Sequence, residues 1–408
     1  MNMRKGVVLL FTVFIVGIVA FSGCAPKPQK DFIVIGASRP LTGPLSIFEQ
    51  TAFGPIYKLW VKEVNDAGGI YVKEYDKKLP IKLLVYDDES DVTKMTKNLE
   101  KLIVEDKVDL LLPSAGTDML FAAAPIANDL GYVLMGAEGG SSKLESLVAG
   151  LPYVYSVLGY STHNQVPAFA DMLVDLGVKN VAVVALSDLH GVEYLDAATK
   201  EFASRGINIV VNASIPVGVE DITPIIEEAK EANVDAFMVF AYPGENMVAV
   251  GQSIQNDFNP GLFLIGPGGN FQAIANALGP NMEGIMSWGA WNRKVSKTHN
   301  EFADKMAQEY GEEILDWWGH NVYYASLQFL QAAIEDIGTL NQEKLQQAFA
   351  NNSYETILGK THFDSKHRLD IEVYSGQVGQ WQNGVFEVVA PANKATAKPV
   401  YPKPVWKK

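Results

Sequence analysis

The six histidines, at positions 163, 190, 299, 320, 362 and 367, are the side chains in this sequence best suited to hold a metal or move a proton. No two of them stand in the HExxH spacing that puts two imidazoles on one helix face. His362 and His367 are five apart with only Asp364 between them, which matches no metal-ligand spacing. Ser141-Ser142 lies in a glycine-rich turn with no base nearby in sequence, and no GxSxG elbow occurs. Gly266–Gly269 follows an apolar run, but a dinucleotide fingerprint would need glycine at 271, where Phe271 stands. There is no Walker loop. The expectation is no catalytic residue, no metal and no cofactor, which turns attention to binding.

Cys24 is the single cysteine, so no internal disulfide is expected. It follows Arg4-Lys5, an apolar run from Val7 to Phe21, and Ser22-Gly23. A basic start, a short apolar stretch and small residues before the cut make a secretory signal over residues 1–23; the run is too short to span a bilayer. Cys24 stands where a bacterial lipoprotein signal carries its lipidated residue, although Phe21 replaces the usual leucine. The alternative is an ordinary cleaved signal with an incidental cysteine. Residues 24–31 read as a polar, Pro-containing tether. A phosphate-binding surface would need the opposite balance to the formal charge of -14, so nucleic acid is not an expected partner.

Beyond residue 21, short apolar runs alternate with amphipathic ones. Strands are expected at Phe32–Gly36, Ile81–Tyr86, Val108–Leu112, Val133–Gly136, Val181–Leu186, Ile207–Val211, Val234–Ala241 and Leu262–Gly266. Near-continuous Val, Ile, Leu and Phe mark strands buried on both faces, hence parallel sheets covered by helices. Helical periodicity runs over Gln50–Asp66, closed by Gly68-Gly69, over Val92–Val104 and over Ile222–Ala232. The strand–helix rhythm appears twice, once to about Gly150 and again from Val181, with Tyr153–Leu158 as an extended connector. Two α/β lobes would leave a cleft between them, a favoured place for a ligand. After Gly284 come helical stretches at His299–Tyr310, Trp317–Ile337 and Gln342–Ala350, then short strands within Glu372–Val389. The last 18 residues hold four prolines and five lysines and read as a flexible or surface-draped tail.

In order and spacing, several stretches resemble the type I periplasmic binding proteins of ABC importers, nearest the branched-chain amino acid (Leu/Ile/Val) binding group. They are Ile33–Pro44, Val64–Gly69, Leu84–Glu89, Pro113–Thr117, Gly136–Leu144, Val181–Gly191, Leu262–Gly269 and Tyr324–Gln328. The resemblance implies an α/β fold of two doubly wound parallel-sheet lobes joined by a three-segment hinge. Residues 32–156 and 290–376 would form the first lobe, and 157–289 and 377–390 the second, with 391–408 as the tail. It also implies a small-molecule ligand, an amino acid or organic acid, and an ABC permease as partner. The place would be extracytoplasmic, at the membrane through a lipid anchor on Cys24.

Carried over residue by residue, the resemblance puts a ligand carboxylate on backbone N–H groups and a hydroxyl at Ala115, Gly116 and Thr117, with Glu138, Gly139 and Gly140 in the next turn. Helix N-termini present unpaired donors and a favourable dipole to an anion. Phe48, His190 and Tyr242 would cover the ligand, and Gly268 would lie beside it. Trp288, Trp317, Trp318 and His320 are further rim candidates. One departure stands out. The acid that pairs a ligand ammonium in that group should follow Leu262–Gly266, and here the turn reads Gly266-Pro267-Gly268-Gly269. Either Glu138 or Glu245 replaces it, or the ligand has no ammonium. A ligand-sensing domain that signals through a membrane receptor, and a secreted α/β enzyme, are the other functional classes. A fused signalling segment would mark the first, and turnover or a metal requirement the second.

Overall fold

The computed structural model describes residues 29–139, 142–158, 161–289 and 291–407. The expected signal segment, Cys24 and Gly140 therefore lie outside the described residues.

In the first lobe β1 (Ile33–Arg39) lies between β2 (Ile81–Asp87) and β3 (Leu110–Leu111), all parallel, with Ile35 opposite both Leu83 and Leu110. β4 (Leu134–Gly136) and β5 (Val154–Ser156) add a parallel pair. The second lobe holds one seven-stranded sheet in the order β12-β11-β10-β9-β8-β6-β7. Its strands are β6 (Asn180–Leu186), β7 (Asn208–Ile215), β8 (Ala236–Phe240), β9 (Leu262–Gly266), β10 (Met286–Trp288), β11 (Val378–Gln382) and β12 (Val385–Ala390). Every residue of β8 and β9 is buried, as the unbroken apolar runs require of central parallel strands. Only β11 runs against the others, pairing antiparallel with β10 on one side and with the edge strand β12 on the other.

Seven helices bear on the site: α1 (Gly54–Asp66), α2 (Val92–Val104), α3 (Thr117–Asp129), α4 (Leu189–Ser204), α5 (Pro243–Gln255), α6 (Lys297–Tyr310) and α7 (Gly319–Ile337). Short side chains start several of them. Asp91 accepts from the Lys94 amide ahead of α2, and Asp188 from the Gly191 amide ahead of α4. Ahead of α1, Glu49–Phe53 form one widened π turn, a feature frequent at functional sites.

The strand order shows the chain passing between the lobes three times. It leaves the first after β5 and leaves the second after β10. It then builds α6 and α7 against the first lobe, where Trp60 Nε1 of α1 donates to Gln331 Oε1 of α7, and returns at β11. The second and third passages are tied together by the Gly289 amide, which donates to Gln377 O at 2.6 Å.

The C-terminal tail is not loose. Trp406 is 8% exposed, meets Phe263 edge to face at 5.5 Å, and donates from Nε1 to Phe258 O. Lys403 Nζ lies over its ring and donates to Asn259 Oδ1. Of the two readings of the tail, flexible or surface-draped, this docking agrees with the second: a single buried indole supplies enough apolar area to seat a short extended segment.

Candidate functional site

A small cavity of about 40 Å³ lies where the two lobes meet. The first lobe lines it with Phe48, Phe53, Gly116, Thr117, Glu138, Gly139 and Trp318, the second with His190, Tyr242 and Pro267, and the segment after β5 adds Leu158. A water needs roughly 10–15 Å³ by such a measure, so this space suits a few waters or a compact solute. Aromatic rings close it from both sides. Phe48 meets Tyr242 edge-on at 5.6 Å and Phe271 at 6.2 Å, and His190 stacks on Tyr242 at 5.3 Å.

The polar floor comes from two strand-to-helix turns. Gly116 precedes α3 with φ of 102°, a conformation that favours glycine. Thr117 therefore opens the helix with its first amides unpaired within it and its hydroxyl near the cavity. Gly139 of the second turn lies so close that a methyl group on it would stand 3.0 Å from Thr117 Cα. The Gly116 amide donates to Glu138 O, locking the two turns together.

Behind this floor is a buried charge cluster. Arg39 is fully buried at the end of β1. Its Nη1 pairs with Glu138 Oε1 at 2.7 Å and donates to Pro113 O, while Nη2 meets Glu49 Oε2 at 2.7 Å. Glu49 Oε1 accepts from the Tyr57 hydroxyl at 2.7 Å. The π turn is what carries Glu49 inward beneath Arg39. Burial pushes the Glu138 carboxyl up to about 7; the Arg39 charge opposes this, and the Glu49 charge adds to it. The buried Tyr323 hydroxyl stands beside Glu138 and interacts with its carboxyl.

Across the cleft, burial drives the His190 imidazole down to about 4, so it is neutral, and its Nε2 lacks a hydrogen-bond partner. Buried polar atoms are rarely left unpaired. Here His190, with one such atom, lines the cavity together with Glu138.

Of the residues singled out by sequence, Phe48, Gly116, Thr117, Glu138, Gly139, His190, Tyr242 and Trp318 come together here. Others do not reach the cavity wall. Ala115 is buried one residue short of it. Gly268 packs under Pro243, which a methyl group would approach to 2.8 Å, and its neighbour Pro267 lines the wall instead. Trp288 is a correction: it is fully buried in the second-lobe core against Phe169, Tyr194 and Phe240. His320 is another, buried within α7 with Nε2 on Thr51 O and Nδ1 accepting from the Asp316 amide. Trp317 packs on Trp291 at 5.0 Å. Glu245 is occupied elsewhere, accepting from the Gly218 amide at 2.6 Å.

Sequence reasoning missed Phe53, Leu158 and Pro267, and behind them Arg39 and Glu49. A charged residue inside the apolar run Ile33–Arg39 was the available sign, since such residues are seldom buried without partners. Among the described residues no cluster of His, Cys, Asp or Glu is arranged to hold a metal. Among them also, no helix is long and apolar enough to cross a membrane.

The family model described as periplasmic binding protein matches residues 33–384. The chain is 22% identical over 397 residues to "Leu/Ile/Val-binding protein homolog 7" of Brucella abortus, covering 91% of this chain and 94% of that one. It is also 22% identical over 392 residues to the leucine-, isoleucine-, valine-, threonine-, and alanine-binding protein of Pseudomonas aeruginosa, covering 93% and 97%. Among solved structures, a solute binding protein of an ABC transporter from Rhodopseudomonas palustris, in complex with 3,4-dihydroxybenzoic acid, superposes with a TM-score of 0.76 at 18% identity, covering 91% of this chain and 99% of that one. The branched-chain amino acid transporter substrate binding protein of Streptococcus pneumoniae, in complex with isoleucine, gives 0.74 at 19% identity, covering 91% and 100%.

Proposed function

Because the chain belongs to the periplasmic binding protein family, we propose that it is the extracytoplasmic solute-binding component of an ABC importer, and not an enzyme. It captures a small carboxylate-bearing solute, an amino acid or related compound, between its lobes and is held at the membrane by a lipid on Cys24. The observation that carries this reading is the cavity itself, lined from both lobes and floored by the open N-terminus of α3. A carboxylate there meets the first amides of α3 and the Thr117 hydroxyl, a favourable seat for an anion. Binding begins on the first lobe. The second then swings in about the three connecting segments, bringing His190, Tyr242 and Pro267 over the solute and excluding water. The permease recognises the closed form. The lobe boundaries that go with this reading are 32–156 with 290–376, and 157–289 with 377–390.

The ring-lined walls, Phe48, Phe53, Tyr242 and Trp318, favour a second reading in which the solute is an aromatic acid. One experiment addresses both. Purified protein is stripped of ligand by unfolding and refolding, and thermal shifts are measured against amino acids, polyamines, amides, aromatic acids and short dicarboxylates. A ligand at 100 times its Kd adds about 2.7 kcal/mol of stability. With the best solute in hand, Thr117→Ala combined with Tyr242→Ala is expected to weaken binding by at least about tenfold, the equivalent of about 1.4 kcal/mol, in calorimetric titration. Unchanged affinity in that double variant would mean that the solute sits elsewhere.

A further inference from the structure

Two stretches from different lobes are joined by more than packing. The turn after β9 and the loop ahead of α7 pair as a short antiparallel ladder, with Phe271 opposite Asp316. The Trp317 amide donates to Asn270 O at 3.2 Å, and the Gln272 amide to Leu315 O at 2.9 Å. Side chains repeat the connection. Asn270 Nδ2 donates to Asp316 Oδ1, and Trp317 Nε1 to Gln272 Oε1 at 3.1 Å. Asn270, Phe271, Asp316 and Trp317 are all buried. Each side is also fastened within its own lobe. Asn270 Oδ1 accepts from the Gly268 amide and from Ser287 Oγ, Gly269 O from Trp381 Nε1, and Pro267 O from Asn246 Nδ2. Opposite, the Asp316 carboxyl accepts from the Trp318 and Gly319 amides at the start of α7, and the Asp316 amide donates to His320 Nδ1. The second passage between the lobes runs alongside. Its Trp291 donates from Nε1 to Asp316 O and from its amide to Trp317 O.

Resting on the solute-binding reading above, we propose that Asn270 and Asp316 are positioning residues, the centre of a fourth, non-covalent connection between the lobes that stays joined while the cleft opens and limits how far it opens. A binding protein must part its lobes to admit a solute. If this ladder parted with them, four hydrogen bonds, one of them to a carboxyl group, would break at each opening, and the cleft would be held shut. Its place beside the second passage instead puts it near the axis of closure, where the lobes move least against each other. The consequence for the cavity is a division of the wall. Pro267 and Trp318 each stand next to the ladder, on opposite sides of it, and both line the cavity. They are in place before the solute arrives, and Pro267 travels least of the second-lobe residues. His190 and Tyr242 make the moving part of the wall.

The test needs no solute. In ligand-stripped protein, amide hydrogen exchange is read residue by residue. The Thr117 amide, at the cavity, reports access to the cleft, and the Gln272 and Trp317 amides report the ladder. The expected result is exchange at Gln272 and Trp317 at least about a hundredfold slower than at Thr117, once intrinsic rates are divided out. In Asn270→Ala that protection should fall by at least about tenfold while the amides of β9 stay slow. X-ray scattering should then give the stripped variant a larger radius of gyration than the stripped unmodified protein. Because the exchange ratio is read first on the unmodified protein, it stands even if the variant folds poorly. Equal rates at the three amides would overturn the proposal, since the ladder would then part with the cleft. An unchanged radius of gyration in a folded Asn270→Ala would overturn the limit on opening. Either failure leaves the solute-binding reading intact, because the solute panel decides that reading separately.

Discussion

Arg39→Met is expected to remove about 3–5 kcal/mol of unfolding free energy, the scale seen when one partner of a buried ion pair is deleted. Methionine fills the volume but leaves Glu49 and Glu138 facing each other in the interior, with the Tyr57 hydroxyl and the half-exposed Lys58 ammonium, at 3.5 Å, as the remaining donors to Glu49. The loss should depend on pH in a direction that follows from Glu138. Its folded-state carboxyl already stands at about 7 against an ordinary 4.5. A group raised on folding favours the native state at low pH and loses that contribution as pH rises through its folded value. Without Arg39 the Glu138 carboxyl rises further, so the variant should recover part of its deficit between pH 7 and pH 5. Urea denaturation at the two pH values checks both parts. A deficit below about 1 kcal/mol would show that the cluster is not the organising centre described here.

Gly289→Ala is expected to uncouple the hinge from the site. Gly289 sits at φ of 51° at the second passage between lobes, and a methyl group there would lie 1.7 Å from Trp318 Cδ1. Left-handed backbone costs a non-glycine residue roughly 1–2 kcal/mol. Overpacking adds about 1–3 kcal/mol more unless the indole leaves its place. Trp318 lines the cavity, so either outcome for its ring changes the wall: it swings into the solute space or out of the closed interface. We expect the affinity for the best solute to fall by at least about a hundredfold, roughly 2.7 kcal/mol. Adding Trp318→Leu should restore stability more than affinity, a non-additive pair typical of residues in contact. Wild-type affinity in Gly289→Ala, measured by calorimetry, would refute the coupling.

Much of this architecture is legible in the sequence because strands buried on both faces cannot be written any other way. Ala236–Phe240 and Leu262–Gly266 announce a parallel sheet by composition alone. The two polar turns are legible for a related reason: glycine beside a helix start, as at Gly116 and Gly139, marks backbone brought close to something. Arg39 was not, since its partners lie 10 and 99 residues away and nothing local states that they converge. Trp288 and Trp318 look alike as letters. One faces a sheet interior and the other a cavity, and a strand or helix start gives no sign of which. The tail leaves two readings open, flexible or surface-draped, because composition averages over 18 residues while its docking turns on Trp406.

The tryptophans also differ in what light would report from them. Of the seven in the chain, Trp60, Trp288, Trp291, Trp317, Trp381 and Trp406 are buried in packed interiors, and their emission should hardly change when the lobes move. Trp318 alone is half-buried and borders the cavity beside the connecting segment at Gly289. The protein thus carries its own optical gauge of closure. Solute arrival should alter the emission of one indole against a steady background of six, and Trp318→Phe should silence the change without silencing the protein.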